Sequence, residues 1–273
     1  MHRRFLFPDE IALIPKELTS VMKEYQTAGF EIYLVGGGVR NILLGKVPEN
    51  CDLTTNATPE QSLEVLEKHD PFYNNDFGTV SYDLTVNGNK ELYEITTFRS
   101  EKEYSDFRRP DNVSWGKTLE EDVTRRDFTV NAMVVGLTEG KFELIDLVGG
   151  MEDFEKGLIR AVGDPEKRFG EDALRMMRAI RLAARLGFAI EENTLAAIST
   201  QSHLLENISR ERVRDELMKI IGSEYPSDGT QLLISTGLMN DIMPELLEAK
   251  GVMQGGHHTL TVLDHMLESL RNC

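Results

Sequence analysis

Cysteine is nearly absent: Cys51 and Cys273 are the only two in 273 residues. Two cysteines so far apart make neither a disulfide framework nor a zinc pattern, and a reducing compartment follows. Basic residues are also short. Thirty Lys and Arg against 46 Asp and Glu leave a net charge of −16. That balance argues against a general nucleic-acid binder with a basic surface, and it assigns most of the glutamates to solubility. No apolar run approaches the roughly 20 residues that span a bilayer. The opening stretch MHRRFLFPDEIALIP has two arginines but no sustained apolar core, so no secretory signal is expected. Repeats and low-complexity segments are missing too. A soluble, cytoplasmic globular protein of one large or two smaller domains is expected.

What the chain does have is uneven. Arg108, Arg109, Arg125, Arg126, Arg168, Arg175, Arg178, Arg181 and Arg185 crowd one stretch of the sequence, which leaves room for a local basic cleft in an acidic protein. The pattern of apolar residues changes as well. Up to residue 150 strands and helices mix. A helix over 15–28 precedes a strand at Ile32–Val35, a helix starts at Pro59, and strands follow at 78–82, 84–86 and 91–98. Asn87-Gly88 is a hairpin turn signal. Residues 100–118 read as a polar loop. A helix begins near Leu119 and is carried on through Phe128–Val135, and 141–146 is a further strand. From about residue 152 the period is helical, over 165–186, 191–205, 209–221, 228–235 and 243–249, with a last helix over 257–271.

The stretch VGGGVRNILLGKVPENCDLTT, residues 35–55, carries the most chemistry. A strand runs into Gly36, Gly37 and Gly38, then Arg40 and a helical pattern. Glycines between a strand and a helix let phosphates approach backbone N–H groups, although a tight turn without a ligand needs the same residues. Asp52 follows on a β-branched run, where a carboxylate can hold Mg²⁺ against those phosphates. Residues 50 and 52 share a strand face, but only Asp52 is charged; Asn50 offers a neutral carbonyl oxygen. Glu94, in YEITTFR, is a further candidate acid on a neighbouring strand.

A second motif, EEDVTRRDFTVNA at 120–132, sets Arg125 and Arg126 beside Asp127. Two arginines grip a triphosphate while an aspartate fixes their orientation; a surface ion-pair cluster at a helix start has the same composition. A third, RFGEDALRMMRAIR at 168–181, places Asp172, Arg175, Arg178 and Arg181 three apart along one helical stripe. Such a stripe presents a donor–acceptor edge to a base and cations to phosphates. It is also what a salt-bridged exposed helix looks like.

Taken together these segments resemble the class II tRNA nucleotidyltransferases, the CCA-adding enzymes, and their relatives the bacterial poly(A) polymerases. That family reads GG-x-VRD-x-LLG, then D-x-D, then T-x-A-x-PE. Gly36, Gly37, Val39, Arg40, Leu43, Leu44, Gly45, Asp52, Thr55, Ala57, Pro59 and Glu60 match it. Asn41 stands where the family has Asp, and Asn50 stands where it has the first metal-binding Asp. The resemblance implies an α/β nucleotidyltransferase head with a mixed five-stranded sheet over 1–150. It implies an all-α neck over 151–222 with a nucleotide-template helix, and the truncated start of a helical body over 223–273. The implied activity is template-independent addition of C and A to the tRNA 3′ acceptor end from CTP and ATP with Mg²⁺.

The same resemblance implies roles residue by residue. Asp52 and Asn50 hold metal, with Glu94 as a further catalytic acid. Gly37, Gly38 and Arg40 bind the triphosphate. Arg126 contacts nucleotide, and Asp127 orients ribose or arginine. Asp172 and Arg175 read the base as a protein template, with Arg178 and Arg181 as additional nucleotide contacts. The segment ISRERVRDEL at 208–217 resembles CCA-adding enzymes more than poly(A) polymerases. A poly(A) polymerase, a C-only or A-only enzyme, and an inactive nucleotide- or tRNA-binding module remain as alternatives; Asn50 and Asn41 favour the last. Gly255-Gly256-His257-His258 with Asp264-His265 resembles the opening of an HD-type phosphohydrolase region, but the further ligands such a site needs do not follow, so these histidines are assigned to helix caps and surface.

Overall fold

The computed structural model describes residues 2–48, 51–73, 78–86, 89–101, 113–253, 255 and 259–272. Asn50, the Asn87-Gly88 turn, Arg108, Arg109 and the rest of 102–112, and Gly256-His257-His258 lie outside the described residues. The chain divides into two units, Met1–Lys102 with Pro110–Glu152, and Glu103–Arg109 with Asp153–Cys273.

The first unit runs β1 (His2–Phe5), α1 (Pro8–Ala12), α2 (Lys16–Thr27), β2 (Ile32–Val35), α3 (Gly37–Leu43), β3 (Asp52–Thr55) and α4 (Pro59–Val65). It continues with β4 (Phe72–Tyr73), β5 (Thr79–Val86), β6 (Asn89–Thr97), β7 (Arg99–Glu101), β8 (Val113–Trp115), α5 (Leu119–Thr124), β9 (Val134–Thr138), β10 (Lys141–Asp146) and the start of α6 (Gly150–Glu155). The sheet has the order β1-β10-β9-β2-β3-β6-β5-β4. Only the β3–β6 pairing in it is parallel; β2 lies antiparallel to both β3 and β9. Leu18, Val21, Met22 and Tyr25, on one face of α2, are buried where that helix meets β2 and β5. The spacing i, i+3, i+4, i+7 makes this a single apolar stripe. Tyr82, Tyr93, Phe98 and Phe128 complete the interior.

The second unit runs β11 (Leu158–Ile159), α7 (Pro165–Glu171), α8 (Leu174–Leu186), β12 (Ala189–Ile190), α9 (Glu192–Gln201), α10 (Arg210–Ile221), α11 (Pro226–Ser235), α12 (Met239–Ile242), α13 (Pro244–Leu247) and α14 (Val262–Arg271). Its centre is α8, which buries Met176, Met177, Ala179, Ile180, Ala183 and Ala184 and packs on α10 and α11. Gly187 ends α8 in the left-handed conformation, φ 67°, the backbone state for which glycine carries no steric penalty. No helix among the described residues is long and apolar enough to cross a membrane.

Several expectations are corrected. The sheet has eight strands rather than five; β1 is an edge strand whose polar HRRF sequence gives no alternating signal. The segments 78–82 and 84–86 form one continuous strand, β5. The helix expected to continue through 128–135 is instead a 3-10 turn, Thr129–Asn131, followed by β9. The loop expected over 100–118 is framed by the paired strands β7 and β8. The helix over 165–186 is broken at Asp172, which has φ −147° and ψ 103°. The helix over 191–205 ends at Gln201 and passes into a 3-10 segment, Ser202–Asn207.

Candidate active site

Two glycines shape the first edge of the site. Gly36 follows β2 with φ 69° and ψ −134°, a region close to exclusive to glycine. A Cβ on Gly38 would sit 3.0 Å from Leu34 Cδ1, so α3 is packed hard onto β2. The register pairs Val35 with Asp52, which brings Asp52 beside the glycine turn; a Cβ on Gly36 would lie 3.7 Å from Asp52 Oδ2. On the other side of β3, Asp52 is in register with Glu94 of β6. Partners in register present their side chains to the same face, on strands about 4.8 Å apart. Asp52 is exposed and Glu94 half-buried. The structure therefore brings together Asp52 and Glu94, the two described candidates for the catalytic acids.

Arg40 lies inside rather than on the surface, 4% exposed. Its Nη1 donates to Asn131 Oδ1 at 2.5 Å, and a Cβ on Gly37 would meet its Nη2 at 3.5 Å. Arg40 thus ties the glycine turn to the 3-10 turn that ends the second motif. Asn131 has no role in the sequence reading. The signal was its place in the motif, but nothing in the sequence says that it faces α3.

The second motif centres on Asp122. Its side chain is fully buried, and Oδ1 accepts from Arg125 Nε at 3.0 Å and Nη2 at 2.7 Å. Oδ2 accepts from Arg126 Nη2 at 2.6 Å and from Thr54 Oγ1 at 3.2 Å. The backbone N–H of Arg99 approaches Oδ1 at 3.4 Å. Burial by itself raises a carboxyl pKa, but the charges and hydrogen bonds of Arg126 and Arg125 outweigh it and hold Asp122 well below the usual carboxylate range. Asp122 is the acid that holds both arginines; Asp127 Oδ1 accepts from its neighbour Phe128 N at 2.8 Å. The i+3 and i+4 spacing of Arg125 and Arg126 from Asp122 was the available sign.

In the second unit Asp172 sits in the break between α7 and α8. Its Oδ1 accepts from Leu174 N at 3.1 Å, and Oδ2 from Arg212 Nη2 of α10 at 3.3 Å. It is thus not part of the helical stripe, which contains Arg175, Arg178 and Arg181 alone. Glu171 receives both Arg168 Nη1 and Arg175 Nη1 at 2.8 Å, and Arg175 also donates to the Arg168 carbonyl. Arg178 is half-buried on α8. Arg181 donates to Glu216 Oε1 of α10 at 2.9 Å. Nothing in the sequence assigns Glu171 or Arg212 to the site, and only the packing of α10 on α8 brings Arg212 close.

Among the described residues no group of three or more His, Cys, Asp or Glu is placed to hold a metal ion. Asp52 and Glu94 supply a pair of hard oxygen donors, a set that suits Mg²⁺ when substrate phosphates and water complete the shell. Cys51, next to Asp52, is no rival nucleophile: burial pushes its thiol up to about 12.

A glycine turn facing paired carboxylates, with an arginine pair anchored on a buried aspartate, defines a nucleotidyltransferase-type head. Comparison with known proteins gives the family. Residues 32–160 match the poly A polymerase head domain, and residues 187–250 match the probable RNA and SrmB-binding site of polymerase A. The CCA-adding enzyme of Lactobacillus helveticus (strain DPC 4571) is 43% identical over 86% of this chain and 56% of its own length. That of Ligilactobacillus salivarius (strain UCC118) is 42% identical over 85% and 54%. Among solved structures, the Bacillus stearothermophilus CCA-adding enzyme in complex with CTP superposes with a TM-score of 0.72 at 35% identity, covering 85% of this chain and 53% of that one. The Thermotoga maritima CCA-adding enzyme complexed with tRNA gives a TM-score of 0.74 at 26% identity, covering 90% and 57%. The chain belongs to the CCA-adding enzyme and poly(A) polymerase family, and it spans about half the length of the relatives it matches.

Proposed function

We propose that this chain transfers nucleotides from CTP and ATP to the 3′ end of tRNA without a nucleic-acid template. The observation that carries the reading is the in-register pair Asp52 and Glu94 beside the Gly36 turn, in the same unit as the arginine pair held by Asp122. Relatives of the same architecture are known in complex with CTP, with ATP and with tRNA. Gly37 and Gly38 admit the triphosphate to the backbone. Arg126, with Asp127 beside it, meets phosphate or ribose, and Arg40 braces the turn from beneath. Asp172 and Arg175 read the base: Asp accepts from the exocyclic amine common to C and A, and Arg donates to a ring nitrogen or carbonyl. Arg178 extends the same face, and Arg181 supports it through Glu216. Asp52, with Glu94 and the residue at 50, would hold Mg²⁺, which would supply charge stabilisation for the attacking hydroxyl and the leaving pyrophosphate. The cytoplasm, where these substrates meet, is the corresponding location.

One observation favours a second reading, a nucleotide- and tRNA-binding module without turnover. Asn50 replaces a charged oxygen donor by a neutral one. The test is extension of tRNA minihelices lacking C, CC or CCA, by this protein and by Asn50→Asp, each nucleotide offered singly. C and A addition with acceleration by the substitution supports the enzyme. Extension restricted to one nucleotide identifies a partial enzyme or poly(A) polymerase. Nucleotide-dependent thermal stabilisation without extension by either protein identifies the binding module. Neither extension nor stabilisation at millimolar CTP and ATP overturns both readings.

A further inference from the structure

Asp122 is a buried charge held by Arg125, Arg126, Thr54 and the backbone N–H of Arg99, and these contacts do more than neutralise it. Its carboxylate takes Arg125 through two nitrogens on Oδ1 and Arg126 through one on Oδ2. Two guanidinium groups on one carboxylate leave a net positive charge at the cluster. Arg126 Nε is buried and meets no acceptor among the described residues, so the guanidinium retains donor capacity after binding Asp122. The Thr54 contact reaches the sheet. Thr54 Oγ1, buried on β3, lies 3.2 Å from Oδ2 and 3.3 Å from the Thr96 carbonyl of β6. Thr54 stands two residues after Asp52 on the same strand face and is in register with Thr96, two residues after Glu94. One hydroxyl is therefore shared between the aspartate that holds the arginines and the two strands that carry the acids.

We propose that Asp122 is a positioning residue that presents Arg126 to the nucleotide, and that Thr54 indexes this arginine pair to the strands bearing Asp52 and Glu94. The inference rests on the reading of the first unit as a nucleotide site. A guanidinium fixed through one edge loses little freedom when its other donors meet a phosphate or ribose oxygen, so affinity depends on the fixing carboxylate as well as on the arginine. Asp122→Asn keeps the shape of the side chain but replaces one acceptor oxygen with a donor that faces a guanidinium. If that change acts on the nucleotide through Arg126, its effect disappears once Arg126 is removed.

The experiment is titration of CTP into the full chain by calorimetry, for wild type, Asp122→Asn, Arg126→Ala and the double variant, on proteins matched by far-UV circular dichroism. Asp122→Asn is expected to weaken CTP at least tenfold, and the double variant to be no more than about threefold weaker than Arg126→Ala alone, since residues acting as one unit are non-additive. A role in folding alone predicts unchanged affinity in the folded protein, or factors that multiply; either overturns the proposal. Thr54→Val and Thr54→Ser test the second half, and decide the matter if Asp122→Asn does not fold. The valine should weaken CTP at least threefold and the serine should restore it; equal affinities for both refute the indexing. Wild type that binds no CTP at millimolar concentration refutes the nucleotide site itself, and with it this inference.

Discussion

Gly150→Ala is the substitution whose consequence the structure defines most sharply. Gly150 begins α6, and Asp146 holds it in place. Asp146 Oδ1 accepts from the backbone N–H groups of Val148, Gly149 and Gly150 at 3.0 Å each, and Oδ2 accepts from Met151 N at 3.0 Å. A Cβ on Gly150 would overlap the Thr129 carbonyl oxygen and approach Met133 Cγ to 2.8 Å. Met133 can move, but the carbonyl is backbone in the 3-10 turn Thr129–Asn131. If the Gly150 segment retreats, it gives up hydrogen bonds to Asp146 worth about 1 kcal/mol each. If the turn retreats, Asn131 moves and its bond to the buried Arg40 stretches. Overpacking typically costs about 1–3 kcal/mol, and a backbone obstacle puts this site near the upper end, about 3 kcal/mol. Urea unfolding measures the loss, and CTP affinity shows which side gave way. A weaker CTP site means that the turn moved; unchanged affinity with lost stability means that α6 moved. A change under about 0.5 kcal/mol, the scatter of neutral surface substitutions, would refute the close packing of α6 on the turn.

Asp122 should shape the acid limb of stability. Its folded pKa lies below its ordinary value of 3.8, so its contribution is complete above that value and is lost as pH falls through the lower folded pKa. Asp122→Asn should remove up to one proton from the unfolding linkage, flattening the slope below pH ~4 by up to about 1.4 kcal/mol per pH unit; an unchanged slope in urea titrations from pH 4 downward would refute the shift. In the second unit, Arg181→Met should strand Glu216, whose side chain is 7% exposed. Breaking a buried pair costs about 3–5 kcal/mol, and Lys219 Nζ, 3.2 Å from Glu216 Oε1, limits the loss to about 2 kcal/mol. Adding Glu216→Leu should recover most of it, and calorimetric melting that shows no recovery would mean the pair is not the cause.

The parts of this molecule legible in the sequence are those where chemistry sits at fixed local spacing. The glycine turn, Asp52 and the arginine pair each announce themselves within a few residues, and so did the change from mixed to helical period near residue 152. The parts that were not legible depend on what packs against them. Across Asp172 the apolar period continues from Phe169 to Met176 although the helix does not, because the interruption lasts about half a turn and preserves the buried face. Phe128–Val135 is apolar enough for a helix, yet Asn131 turns the backbone and β9 is claimed by its neighbours β2 and β10. Sequence adjacency to Arg126 singles out Asp127 and passes over Asp122. The helical spacing from Asp122 places a second carboxylate nearer the guanidinium groups than sequence adjacency suggests.

The proposed function asks a protein of net charge −16 to meet anionic partners, and the ion pairs show how it could. Arg125 and Arg126 are bound to Asp122, Arg168 and Arg175 to Glu171, Arg181 to Glu216 and Arg212 to Asp172. These arginines do not form an open basic patch. They are oriented donors whose charge is already partly neutralised, and partners of this kind favour directional hydrogen bonds over long-range attraction. Salt dependence should reveal the difference. Nucleic-acid binding through free cations loses affinity with a logarithmic slope close to the number of phosphates neutralised, and a protein making six to ten such contacts falls by about 10³–10⁵ between 50 and 200 mM salt. Here the arginines give up little counterion on binding, so the slope for a tRNA minihelix should stay near −2, a loss of about 16-fold over that range. Fluorescence anisotropy across a KCl series measures it directly. A slope steeper than about −5 would show that unpaired surface cations, not the carboxylate-held arginines, carry the binding, and the account of how an acidic protein holds an acidic substrate would fail.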